Sequence, residues 1–110
     1  MSQREVLGEF EQLVLLAIIR LGKNAYGVAI RDEIKARTGR SVSRGAIYIT
    51  LDRLESKGYI RTWLADPTPE RGGKAKRMCA VEASSVKALK ESRTALERMW
   101  RGLDLIFGKP

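Results

Sequence analysis

The stretch Ser41–Ile60, "SVSRGAIYITLDRLESKGYI", decides how the rest of the chain is read. Ser43 is a good helix N-cap, because its hydroxyl can accept from a free amide of the first turn. Ile47, Leu51 and Leu54 then recur at steps of four and three, which predicts a helix with one core-facing stripe. Gly58 closes it. Arg44, Tyr48, Ile49, Asp52 and Arg53 lie away from that stripe. The segment is therefore a short helix with an apolar side and a second side carrying charge and an aromatic ring.

Downstream of it the period changes. "YIRTWLAD", Tyr59–Asp66, is rich in β-branched and aromatic residues and alternates, with Ile60, Thr62 and Leu64 on one side and Tyr59, Arg61 and Trp63 on the other. "KRMCAVEA", Lys76–Ala83, is a second strand. Between them "DPTPERGGKA" carries Pro67, Pro69, Gly72 and Gly73 as loop punctuation. The pair reads as a β-hairpin with a long, basic tip.

Upstream, two helices are expected. "GEFEQLVLLAIIRLG", Gly8–Gly22, is apolar on nearly every side; Phe10, Leu13, Leu16, Ala17 and Leu21 share one face, and Val14, Leu15, Ile18 and Ile19 extend the burial around it. "AYGVAIRDEIKARTG", Ala25–Gly39, repeats Tyr26, Ala29 or Ile30, and Ile34 at helical spacing and ends on Gly39. The short connection makes the two helices neighbours. A last helix is expected over Ala83–Phe107. There Val86, Leu89, Leu96, Trp100, Leu103 and Phe107 approximate a heptad seam, broken by Arg93. A chain this short has little core left to cover such a stripe, so a second copy is the economical cover.

The order helix, helix, helix, strand, turn, strand, helix is that of a winged helix-turn-helix. The fold class is thus mainly α with a small β-hairpin, plus a C-terminal dimerisation helix. The expected division is 1–82 for the winged-helix domain and 83–110 for the dimerisation helix. In that architecture the third helix enters the major groove and the hairpin lies along the backbone.

Composition agrees. The chain has 110 residues and a net charge of +8, which favours a polyanionic partner, nucleic acid first. It has no histidine and one cysteine, Cys79. That excludes Ser-His-Asp and Cys-His centres and a zinc site of the Cys/His type within one chain. Cys79 reads as a small packed side chain. No acid-base or nucleophile pair stands out, so the expectation is no enzyme, no metal and no cofactor. The longest apolar run, Leu13–Leu21, is too short to span a bilayer, and a cytoplasmic protein is the simplest reading.

Several residues are candidates for contact with double-stranded DNA. Ser43 and Arg44 begin the third helix, the end that usually meets base edges. Arg44 suits guanine or a phosphate. Tyr48 is one turn further on, with a half-buried core tyrosine as the competing reading. Gly45 is costly inside a helix, and close approach to DNA or to another helix would explain it. Thr50 and Arg53 are weaker candidates. In the hairpin, Arg71, Lys74, Lys76 and Arg77 can reach phosphates, and Gly73 lets the backbone come close. These wing contacts supply affinity and salt dependence more than sequence choice. "RGGKAK" is no nucleotide loop: Thr68 stands where a Walker A glycine is needed, Ala75 replaces the hydroxyl, and a strand follows instead of a helix. The second use of such a hairpin is a protein-interaction module that binds an acidic protein surface.

"SRGAIYITLDRLESKGYI" followed by "PTPERGGKAKRMCAVEAS", together with "AYGVAIRDEIKARTG", resembles the PadR family of bacterial transcription regulators. The likeness covers most of Leu13 to Ala83. It implies a winged-helix homodimer on a pseudo-palindromic operator, usually a repressor. It maps DNA contact onto Ser43, Arg44, Gly45, Tyr48 and Thr50 and onto Gly73, Lys74, Lys76 and Arg77. It maps dimerisation onto the last helix, hence onto Leu89, Leu96, Trp100, Leu103 and Phe107. Some relatives take small aromatic effectors at the dimer interface, and Trp100 is the matching kind of residue for such a pocket. Ile49 stands where many relatives have proline, and Met78 and Cys79 where they have aromatic residues.

Overall fold

The computed structural model describes residues 6–65 and 75–108. Four helices, a hairpin and a final short helix follow in the order α1 (Glu9–Leu21), α2 (Gly27–Thr38), α3 (Arg44–Ser56), β1 (Ile60–Leu64), β2 (Arg77–Val81), α4 (Ala83–Trp100) and α5 (Asp104–Phe107). A single 3-10 turn, Gly22–Asn24, bridges α1 and α2.

Each of the first three helices contributes one buried stripe to a common core. From α1 come Val14, Leu15, Ala17 and Ile18; from α2, Ile30 and Ile34; from α3, Ile47, Leu51 and Leu54. Ile60 and Cys79 close the core from the hairpin. In α1 the choice of face differs from the expected one. Leu16 and Ile19 are 45% and 44% exposed, while Phe10, Leu13 and Leu21 only flank the core. A helix apolar on nearly every side does not reveal its buried side, and here the stripe runs 11, 14, 15, 18.

The caps follow the sequence. Ser43 Oγ accepts from the Ala46 amide at 3.0 Å. Gly39, at φ +76, ends α2 and donates to the Lys35 carbonyl. After α3, Gly58 at φ +79 lets Tyr59 N donate back to Leu54 O at 2.9 Å, which turns the chain into β1.

The strands are antiparallel, with Ile60 opposite Val81, Thr62 opposite Cys79 and Leu64 opposite Arg77. The segment before α2 joins this sheet: Tyr26 bridges Met78, and Cys79 N donates to Ala25 O at 2.9 Å. The hairpin is thereby fixed to the root of α2 as well as to α3. Met78 and Cys79, though not aromatic, still pair with Trp63 and Thr62 in the ladder. Cys79 is buried, and desolvation pushes its thiol up to about 11, so it is a packed, protonated group.

The last helix is not continuous. α4 stops at Trp100, Gly102 takes φ +83, and α5 begins at Asp104. The turn brings Phe107 back against Trp100, edge to face, with centroids 5.1 Å apart. Ser84 Oγ donates to Gly58 O and roots α4 beside the end of α3. Beyond Leu89 the helix leaves the core, and Arg93–Trp100 are exposed throughout. The radius of gyration, 16.2 Å, records this projection, since a compact chain of this length has about 13 Å. No helix among the described residues is long and apolar enough to cross a membrane.

Candidate nucleic-acid interface

A helix advances about 100° per residue. With Ile47, Leu51 and Leu54 buried, the outward side of α3 is therefore Gly45, Tyr48, Ile49 and Asp52. Arg44, in the first turn, borders this side, is exposed, and has no ion-pair partner among the described residues. Ser43, which caps the helix, is exposed beside it. Gly45 has ordinary helical geometry. A Cβ added there would meet nothing nearer than Ser43 Oγ at 3.9 Å, so no internal packing calls for glycine.

Tyr48 is packed on one side and open on the other. Its ring packs on Gly27 at the start of α2, where an added Cβ would lie 2.8 Å from the hydroxyl and 2.9 Å from Cζ. Yet the residue keeps 37% of its surface. The tyrosine thus locks α3 to α2 and presents one edge to solvent.

One α3 assignment needs correction. Thr50 is 4% exposed. It stands between Ile47 and Leu54 on the buried side, so it belongs to the core and does not reach a nucleic acid. The outward residue at that level is Ile49. Arg53 lies half a revolution from Arg44, and its charge acts on Glu11 of α1. It is exposed, but on the far flank from Arg44.

The hairpin cations also divide. Lys76 Nζ sits 3.3 Å from the centroid of the Tyr26 ring, a cation–π contact beside the first turn of α2. Arg77 is not a free cation. Its guanidinium spans Asp52 Oδ1 at 2.8 Å and Glu55 Oε1 at 3.3 Å, and its side chain is 24% exposed. It ties β2 to α3 and offsets two carboxylates on the helix that would otherwise repel a phosphate backbone. Arg71, Gly73 and Lys74 lie outside the described residues.

One structural group had no place in the sequence reading. Glu11 is 6% exposed; it accepts from Gly8 N at 2.9 Å and pairs with Lys57 Nζ at 3.1 Å. Burial pushes its carboxyl up, but the Gly8 amide and the Lys57 ammonium outweigh it and leave the group below its usual range. The pair joins the start of α1 to the end of α3. The signal in the sequence was weak: a glutamate three residues into a helix is ordinary.

A second surface lies between α1 and the projecting arm. Leu16 and Ile19 of α1 face Val86, Leu89, Leu96 and Trp100 of α4 and Phe107 of α5 across an open groove of about 1040 Å³. Of the expected dimerisation residues, Leu89 leans partly on the core, whereas Leu96, Trp100 and Phe107 are more than half exposed. Leu103 falls in the turn between α4 and α5.

The comparisons with known proteins agree with this geometry. Residues 15–78 match the family model described as the transcriptional regulator PadR-like family. Among curated proteins, none matches the chain. Among solved structures, the chain is similar to a PadR-like transcriptional regulator from Bacillus cereus, with TM-score 0.70, 17% identity, and 92% of this chain and 93% of that one covered. It is similar to a PadR family regulator from Clostridium difficile, with TM-score 0.70, 18% identity, and 90% and 99% covered. The ORC1 protein of Aeropyrum pernix, solved in complex with DNA, shares the fold over 84% of this chain and 26% of that one, with TM-score 0.63 and 22% identity. With the family model matching residues 15–78, more than half of the chain, the chain belongs to the PadR-like family of transcriptional regulators.

Proposed function

We propose that the chain works as a homodimer that binds a pseudo-palindromic DNA operator and represses a nearby promoter, the family's usual mode. The observation that carries the reading is the outward side of α3. It is exposed, it begins with an Arg44 that has no ion-pair partner among the described residues, and it contains a glycine that no packing among the described residues requires. A side of this kind suits entry into the major groove, with Ser43 and Arg44 at base edges or phosphates. Tyr48 would touch the sugar-phosphate backbone with its exposed edge. Lys76, and the tip residues Arg71, Gly73 and Lys74, would hold phosphates.

Dimerisation would use the groove between α1 and α4, with the arm of a second copy as its occupant. A long apolar side that its own chain leaves uncovered, with Leu96, Met99 and Trp100 all more than half exposed, supports that occupant. A flat aromatic effector would lie beside Trp100 in what remains of the groove.

The test is binding of the purified protein to genomic fragments by gel shift. Preference for a fragment from a promoter, weakening steeply as salt rises, supports the reading. Equal binding to all fragments rejects it, and no binding to any leaves the acidic protein surface as the better partner. Quenching of Trp100 by a flat aromatic compound, persisting in Trp63→Phe, supports the effector site; no response to a panel of such compounds rejects it.

A further inference from the structure

We propose that Ile49 is a base-reading residue, and that it recognises the 5-methyl group of thymine in the major groove. This rests on the DNA-binding reading of α3 and adds to it a ligand chemistry and a residue that the family pattern does not supply.

Ile49 is 61% exposed in the middle of a helix. It lies on the outward side, one turn after Gly45, so the two are surface neighbours. Helical side chains lean toward the N-terminus, which carries the isoleucine over the turn that holds Gly45. Among the described residues a Cβ at Gly45 would meet only Ser43 Oγ, at 3.9 Å, so it would fit without strain. An alanine there would favour the helix, so the glycine makes sense where a wall comes close. Glycine and isoleucine together form a shallow apolar strip with a step at one end. The next outward residue, Asp52, has its carboxylate held by Arg77 at 2.8 Å, which lowers its repulsion toward a backbone phosphate.

The chemistry narrows the ligand. Isoleucine neither donates nor accepts hydrogen bonds. Set against a cytosine amino group or a guanine carbonyl, it would leave those groups without a partner, which is costly. The one apolar group on the base edges of the major groove is the thymine methyl. The rival use of an exposed isoleucine, a contact between copies of the chain, is disfavoured by position. No residue of α3 lines the groove between α1 and α4.

The experiment selects duplexes from a randomised pool with the wild-type protein, then replaces each thymine of the best duplex in turn by uracil, which lacks the methyl. The expected result is a loss of about fourfold at one thymine per half-site, the worth of burying one methyl group. Ile49→Ala should bind the thymine and uracil duplexes alike at that position, with an unchanged thermal melt, and Ile49→Val should retain part of the discrimination. If uracil at every position costs wild type and Ile49→Ala the same, or if the selected half-site has no thymine, the assignment is overturned while DNA reading stands. If selection yields no preferred duplex, the DNA reading falls and this assignment with it.

Discussion

Helices α3 and α4 are both amphipathic, yet they spend their apolar sides differently. α3 lays Ile47, Thr50, Leu51 and Leu54 against its own chain and turns a mixed side outward. α4 buries only Ser85 fully and leaves Leu96, Met99 and Trp100 uncovered. The difference bears on the kind of partner each surface can accept. A helix whose apolar stripe is already satisfied can offer its other side to a polar, charged partner without competition from the core. A helix whose stripe is open needs apolar cover, and an equal helix from a second copy is the cover proposed above.

The comparison breaks most readily in the core. Leu51→Ala should cost about 2–5 kcal/mol in urea unfolding, since Leu51 is fully buried. Leu96→Glu should instead keep a helical circular dichroism spectrum and convert the dimer to a monomer by light scattering. A Leu96→Glu protein that stays dimeric would remove α4 from the interface.

Next in size is the buried pair that holds α1 on α3. Glu11→Gln should cost about 1.5–3 kcal/mol of unfolding free energy, the range for a hydrogen bond to a charged group. The sign with pH follows from the lowered carboxyl. Its stabilisation is complete above the unfolded value, near 4.5, and is lost as pH falls from there through the folded value. Wild type should therefore lose stability below about pH 4.5 more steeply than Glu11→Gln, measured by urea titrations across that range. Parallel curves would remove the pair from the account.

On the DNA side, Arg44→Ala should weaken binding to a selected duplex by about 1–3 kcal/mol and relax preference at particular base pairs. Lys76→Ala should weaken all duplexes alike and lower the salt slope by about 1. Equal losses on selected and random DNA for Arg44→Ala would assign it to the backbone. The smallest effect runs in two directions. Gly45→Ala should raise stability by about 0.5–1 kcal/mol and still weaken DNA binding. A variant that is more stable and binds as well would show that nothing comes close to this turn.

Much of the fold was legible because its signals were local. The Ser43 cap, the 47–51–54 stripe, the glycines after α2 and α3, and the change of period into the hairpin each depend on a few adjacent residues. Thr50 was legible too, since it falls between Ile47 and Leu54 on the helix, but the family resemblance assigned it to DNA contact. Arg77 was not. Asp52 and Glu55 become its partners only through the strand register that sets Arg77 opposite Leu64 and over α3. The buried side of α1 could not be read from a segment apolar all round. The break after Trp100 was visible only as a glycine inside an otherwise helical pattern, where Gly102 takes a left-handed conformation.

The central claim is that the outward side of α3 reads DNA sequence. Its most direct test is the ratio of affinities for a selected duplex and a random duplex at one fixed salt concentration, for wild type and for Arg44→Ala. The account predicts a wild-type preference of about a thousandfold or more and a distinctly smaller ratio for Arg44→Ala. A wild-type ratio near one would contradict it.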